Sequence, residues 1–162
     1  MADGALDTYL NDHLAGAMFG SNLAEHVHAR AEGTPLGELM KSLASEIEED
    51  RQSLVDVMDS VGTVKSVVKQ ATTWVAEKTS RGKFGGLVGT DHVLGTFMAL
   101  EAPSLGVEGK QALWTALRAV ADRYPALNPA ELDRLIERAR AQRRILERER
   151  MEAAREALQG AA

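Results

Sequence analysis

The tripeptide Gly33-Thr34-Pro35 separates two long stretches of helical periodicity, and it constrains the fold more than any other feature of this sequence. Before it, apolar or small residues stand at positions 6, 9, 10, 14, 17, 18, 21 and 24. After it come Leu36, Leu39, Met40, Leu43, Ile47, Leu54, Val57, Met58 and Val61. Spacings of three and four place each set on one helical face. Glycine ends a helix, threonine caps the next, and proline suits the first helical position. The spacing predicts helices over about residues 5–32 and 35–61, with Gly62 as a natural stop. A connection this short folds the two back on each other as an antiparallel hairpin.

The second half repeats this punctuation. Thr90-Asp91 is a good cap pair, and a helical segment runs from it to about Arg123, closed by Tyr124-Pro125. Asn128-Pro129 opens a further helix, with Glu131 at the third position and Leu132, Leu135, Ile136, Ala139, Leu146, Ala153 and Leu158 as its stripe. Pro103 removes a backbone donor inside the third segment, so that segment is either kinked or two abutting helices. Residues 63–90 join the halves. Val64, Val67, Val68, Ala71, Trp74 and Val75 predict a short amphipathic helix with Trp74 in the core, followed by the glycine-rich loop TSRGKFGGLVGT. No stretch alternates with period two, so no strand is expected. The expectation is a single all-α domain over 1–162, a four-helix bundle of two antiparallel hairpins joined by a long crossover. Each long helix would span about 40 Å at 1.5 Å per residue.

Composition removes several function classes. The chain has no cysteine, which excludes disulfides, thiolate metal sites and a cysteine nucleophile. No apolar run reaches the roughly 20 residues that span a bilayer. MADGALDTYL lacks the basic-then-apolar order of a signal peptide, so cytoplasm is the expected address. Net charge is -5, which argues against nucleic acid as a partner. Residues 1–62 hold 12 acids against 3 bases, whereas 63–83 hold Lys65, Lys69, Lys78, Arg81 and Lys83 against Glu77 alone. That basic crossover could meet an acidic partner or an anionic surface. No phosphate-binding glycine loop, catalytic-triad order or zinc spacing is present.

The polar residues that matter lie in or beside apolar stripes. Glu101 and Glu108 are two helical turns apart, on one face with Leu94, Met98, Leu105 and Ala112. Either they enter the interior as a carboxylate site, or they reach solvent or pair with arginines of the last helix such as Arg143 or Arg144. Asp50 falls in the middle of the stripe Leu43, Ile47, Leu54, with Glu46 one turn away, while Glu48 and Glu49 read as exposed and Glu48 as a partner for Arg51. His13 shares a face with Leu10, Leu14 and Ala17, at a height near Asp50. His26 and His28 are two apart and cannot face the same way. Gly16, Ala17, Gly20, Ser21 and Ala24 leave one side of the first helix nearly bare, suited to close helix packing or to a homo-oligomer seam.

Hairpin, crossover, hairpin over nearly the whole length resembles the ferritin-like superfamily, in particular its uncharacterised bacterial members. The di-metal members place one Glu on each of two helices and a Glu-x-x-His pair on each of the other two. Here Glu46 and Glu49 have the separation with Glu in the histidine place, and Glu137 is followed by Arg140. The resemblance therefore implies the fold, with a bundle lacking a standard di-iron centre and acting through binding or assembly. The alternative it leaves is an iron or manganese protein for metal storage or oxidation, with ligands among Glu46, Asp50, Glu101, Glu108 and His13. A third expectation is an interaction module built on the basic crossover and the Arg-rich last helix.

Overall fold

The computed structural model describes residues 4–65 and 92–159. Among these residues the chain is all-α and contains no strand. Helix α1 spans Gly4–Arg30, α2 spans Pro35–Val61, α3 spans His92–Val120 and α4 spans Pro129–Leu158, with a 3-10 turn at Ala121–Arg123 after α3. The expected cap at Thr90-Asp91, the amphipathic crossover helix with Trp74 and the glycine-rich loop lie outside the described residues. No helix among the described residues is long and apolar enough to cross a membrane.

The punctuation acts as its chemistry dictates. Thr34 Oγ1 accepts from the Gly37 N–H at 3.1 Å and donates to the Ala31 carbonyl at 2.6 Å, closing the α1–α2 turn from both sides. Gly33 sits at φ 78°, a left-handed conformation that costs a side chain strain. Gly37 is fixed for a different reason: a Cβ there would lie 2.1 Å from the Ala31 carbonyl oxygen. His28 adds a tie, donating from Nδ1 to the Gly37 carbonyl at 2.9 Å. Gly62, at φ 76°, ends α2. At α4 the Asn128 Oδ1 accepts from the N–H groups of Ala130 and Glu131 at 3.1 and 3.4 Å.

Helix α3 runs unbroken through Pro103, which settles the choice between one helix and two. Its buried face differs from the expected one. Leu94, Met98, Leu105 and Ala112, the residues that share a face with Glu101 and Glu108, are exposed, Leu105 by 74%. The core face is instead Ala99, Leu100, Val107, Leu113, Trp114 and Leu117. Apolar residues stand on both sides of α3, and a seven-residue interval between two acids does not say which side is inside.

Buried apolar residues gather in two clusters, each drawn from all four helices. One joins Leu6, Leu10 and Leu14 of α1 to Leu54 and Met58 of α2, Leu113, Trp114 and Leu117 of α3, and Leu132, Leu135 and Ala139 of α4. The other joins Ala24 and Val27 to Met40, Leu43 and Ile47, then to Leu100 and Val107, then to Leu146 and Ala153. Three polar residues sit in sequence between the clusters. Asp50 lies between Ile47 and Leu54, Lys110 between Val107 and Leu113, and Gln142 between Ala139 and Leu146.

Candidate functional site

A buried ion-paired layer occupies the gap between the two clusters. Asp50 is 3% exposed and Gln142 4%. Lys110 Nζ donates to Asp50 Oδ2 and to Gln142 Oε1, and Arg138 Nη2 donates to Asp50 Oδ1. Gln142 Nε2 donates to Glu46 Oε2 at 2.6 Å, with a longer 3.3 Å contact to Asp50 Oδ2. Arg138 Nη1 reaches out to Glu49 Oε2 at 3.2 Å. A buried carboxylate with no partner is too costly to persist, and here three side chains from two neighbouring helices surround it. Burial pulls the Lys110 ammonium below the usual lysine range, against the opposing pull of the Asp50 charge.

Beside this layer lies a cavity of about 210 Å³ between α1, α2 and α3. Its wall is formed largely by missing side chains: Gly16, Ala17 and Gly20 of α1 face Gly106 and Gly109 of α3. Ile47, Leu54, Val107, Leu113 and the Trp114 ring supply apolar surface, while His13, Asp50 and Lys110 are titratable residues of the lining. The small-residue face of α1 thus borders open space instead of a closely packed backbone. A Cβ built on Gly16, Gly106 or Gly109 would meet nothing within 4 Å, and one on Gly20 only Ile47 Cδ1 at 3.9 Å.

His13 stands in the wall of this cavity, edge-on to the Tyr9 ring at 4.6 Å between centroids. Burial lowers its pKa from the ordinary imidazole value of about 6.5, with nearby Asp12 opposing. In the window between the lowered value and about 6.5, the unfolded chain binds more protons than the folded one. The contribution is whole above that window and is lost as pH falls through it. We expect His13→Gln to lose less stability than the parent protein between pH 7 and pH 5, read from urea unfolding at both. An identical loss in the two proteins would assign the acid sensitivity elsewhere.

The five residues expected as metal ligands are not brought together. Glu101 and Glu108, with side chains 49% and 51% exposed, lie on the outer face of α3 and pair with Arg150 at 3.5 Å and Arg143 at 2.6 Å. Asp50 and Glu46 do turn inward, and His13 shares the cavity with Asp50, but both Asp50 oxygens are taken by Lys110 and Arg138. Residues three apart as Glu and His do occur once, at Glu25 and His28, yet Glu25 is exposed and His28 is committed to the Gly37 carbonyl. Among the described residues no group of three or more histidine or acidic side chains forms a set of metal ligands. Among the described residues the donor set does not fit a di-metal centre: cationic nitrogens hold the carboxylate that a metal would need. His26 is exposed, and Glu48 is clasped by Arg51 through two hydrogen bonds of 2.8 and 2.6 Å.

Sequence reasoning missed Lys110, Arg138 and Gln142. The available signal was positional. Each of Lys110 and Gln142 falls three residues after one core residue and three or four before the next, the same place that Asp50 holds in α2. Compared with protein-family models, with curated proteins and with solved structures, the chain has no match.

Proposed function

We propose that this chain is a ferritin-like four-helix bundle that works by binding, without a di-metal centre. In this reading α1–α2 and α3–α4 are antiparallel hairpins joined by the crossover. Support comes from the core: residues late in α1 cluster with residues early in α2, and residues late in α3 with residues early in α4. The ligand is a small, mainly apolar molecule held in the cavity between α1 and α3. One observation carries this: a glycine-walled apolar cavity lies directly against a layer whose charges already satisfy one another. Pockets that bind small molecules combine apolar lining with a few placed polar groups, and this one has that character.

The test is a pair of measurements on the full chain. Protein purified without chelator should carry no stoichiometric iron or manganese, and added Fe(II) or Mn(II) should leave its melting temperature unchanged. Ethylbenzene, which has the size for the cavity, should raise it, and Gly106→Leu should abolish the rise by filling the space. Stoichiometric metal that is lost in Asp50→Ala would replace this reading with the metalloprotein one. A melting temperature indifferent to ethylbenzene would remove the cavity as a binding site.

A further inference from the structure

The cavity is long for its volume. On its floor α2 contributes Ile47, Asp50 and Leu54, and the outer two are about 10 Å apart at 1.5 Å per residue. On one wall α1 contributes residues from His13 to Leu23, about 15 Å by the same measure. About 210 Å³ laid over the shorter of these lengths has a mean cross-section of about 20 Å². A compact cavity of about 150 Å³, the kind that takes up benzene, is about 28 Å² across. The space is a slot that runs along the helices.

The slot suits hydrocarbon inside and a polar group only at its rim. Both Asp50 oxygens are engaged by Lys110 and Arg138. The Trp114 nitrogen is buried from the slot, so the indole meets it as ring. Gly16 and Gly106 of the lining are exposed, so the slot opens to water beside them. A charged group taken inside would lose its hydration at a cost, whereas at the rim it keeps its water.

Volume and length give the same chain. Scaling from the six carbons of benzene in about 150 Å³, about 210 Å³ takes about eight carbons. Eight carbons in an extended chain put their ends about 9 Å apart at bonds of about 1.5 Å, which matches the α2 floor.

We propose that the slot binds a straight alkyl chain of about eight carbons, the tail of a single-chain amphiphile whose polar head stays in water at the rim. This rests on the reading of the cavity as a binding site and names the class of its ligand.

The probes are the even-numbered 1-alkanols from butanol to decanol, with cyclooctanol and ethylbenzene beside them. Affinities are measured by calorimetry on the full chain. Affinity should rise roughly fourfold per added carbon up to about eight, the worth of one buried methylene, and then level off. Cyclooctanol has the carbons and hydroxyl of 1-octanol in a rounder shape. It should bind roughly tenfold more weakly, because a ring too wide for the slot leaves carbons in water. Gly20→Leu puts a side chain where a Cβ would meet only Ile47 Cδ1 at 3.9 Å, and it should move the plateau to shorter chains. An affinity that keeps rising at the same rate to 1-decanol would overturn the bounded slot. Cyclooctanol binding as tightly as 1-octanol would overturn the straight chain and leave the cavity reading standing. Ethylbenzene binding without any of the alcohols would do the same. Binding of none of the probes would overturn the cavity reading and this inference together.

Discussion

Asp50→Ala should destabilise the protein by about 3–5 kcal/mol, the usual penalty for breaking a buried ion pair from one side. The loss does not arise chiefly from the attraction removed. It arises because Lys110 and Arg138, with side chains 13% and 22% exposed, keep their charges in a place where water reaches them poorly. Arg138 retains Glu49 at the rim, so the heavier burden falls on Lys110. Asp50→Asn should cost less, because an amide oxygen still accepts from one of the two cations. The compound variant Asp50→Leu/Lys110→Met/Gln142→Leu should recover most of the loss or exceed the parent, since well-packed apolar groups often replace buried ion pairs without penalty. Chemical denaturation gives all three values. A cost below about 1 kcal/mol for Asp50→Ala would mean that the layer is wet.

Trp114→Ala should cost a comparable amount, about 3–5 kcal/mol, as expected when a large core side chain is cut to a methyl. Trp114 belongs to the cluster built from Leu10, Leu54, Met58, Leu117 and Leu135, and it also walls the cavity. Truncation would merge the space it vacates with the existing 210 Å³, so collapse of the surroundings can do little to heal it. Trp114→Phe should cost roughly 1–2 kcal/mol, the share due to lost ring area alone. It removes a donor that has no acceptor among the described residues, so no hydrogen bond among them is broken. Thermal unfolding compares the two. If Phe proved as damaging as Ala, the indole N–H would have a structural partner.

The helix ends were legible because capping is local chemistry. Gly33-Thr34-Pro35 and Asn128-Pro129 need only their own neighbours to act, and the structure uses both. Asp50 was legible as an inward acid because it interrupts a clean apolar stripe. Its partners were not. Lys110 and Gln142 interrupt stripes in the same way, but α3 carries apolar residues all around and α4 is so rich in arginine that it reads as a solvated face. The i, i+3 pairs Glu131–Arg134, Glu137–Arg140 and Glu147–Arg150 do make most of α4 a solvated face, which masks the one turn where Arg138 and Gln142 turn inward. The cavity was hidden for a different reason. A row of small residues in one helix permits close packing or leaves a gap, and which one results depends on what the opposite helix presents. Gly106 and Gly109 in α3 leave the gap.

Gly16 and Gly106 belong at once to the cavity wall and to the outer surface of the molecule. A molecule entering there would pass glycines, where most interiors would first require a side chain to swing aside or a rod to lean back. On the binding reading, loading and release through such an entrance would be quick, and dwell time would be governed by how tightly the guest is held. A bulky residue at either position would act as a door, slowing exchange before it changed what fits inside.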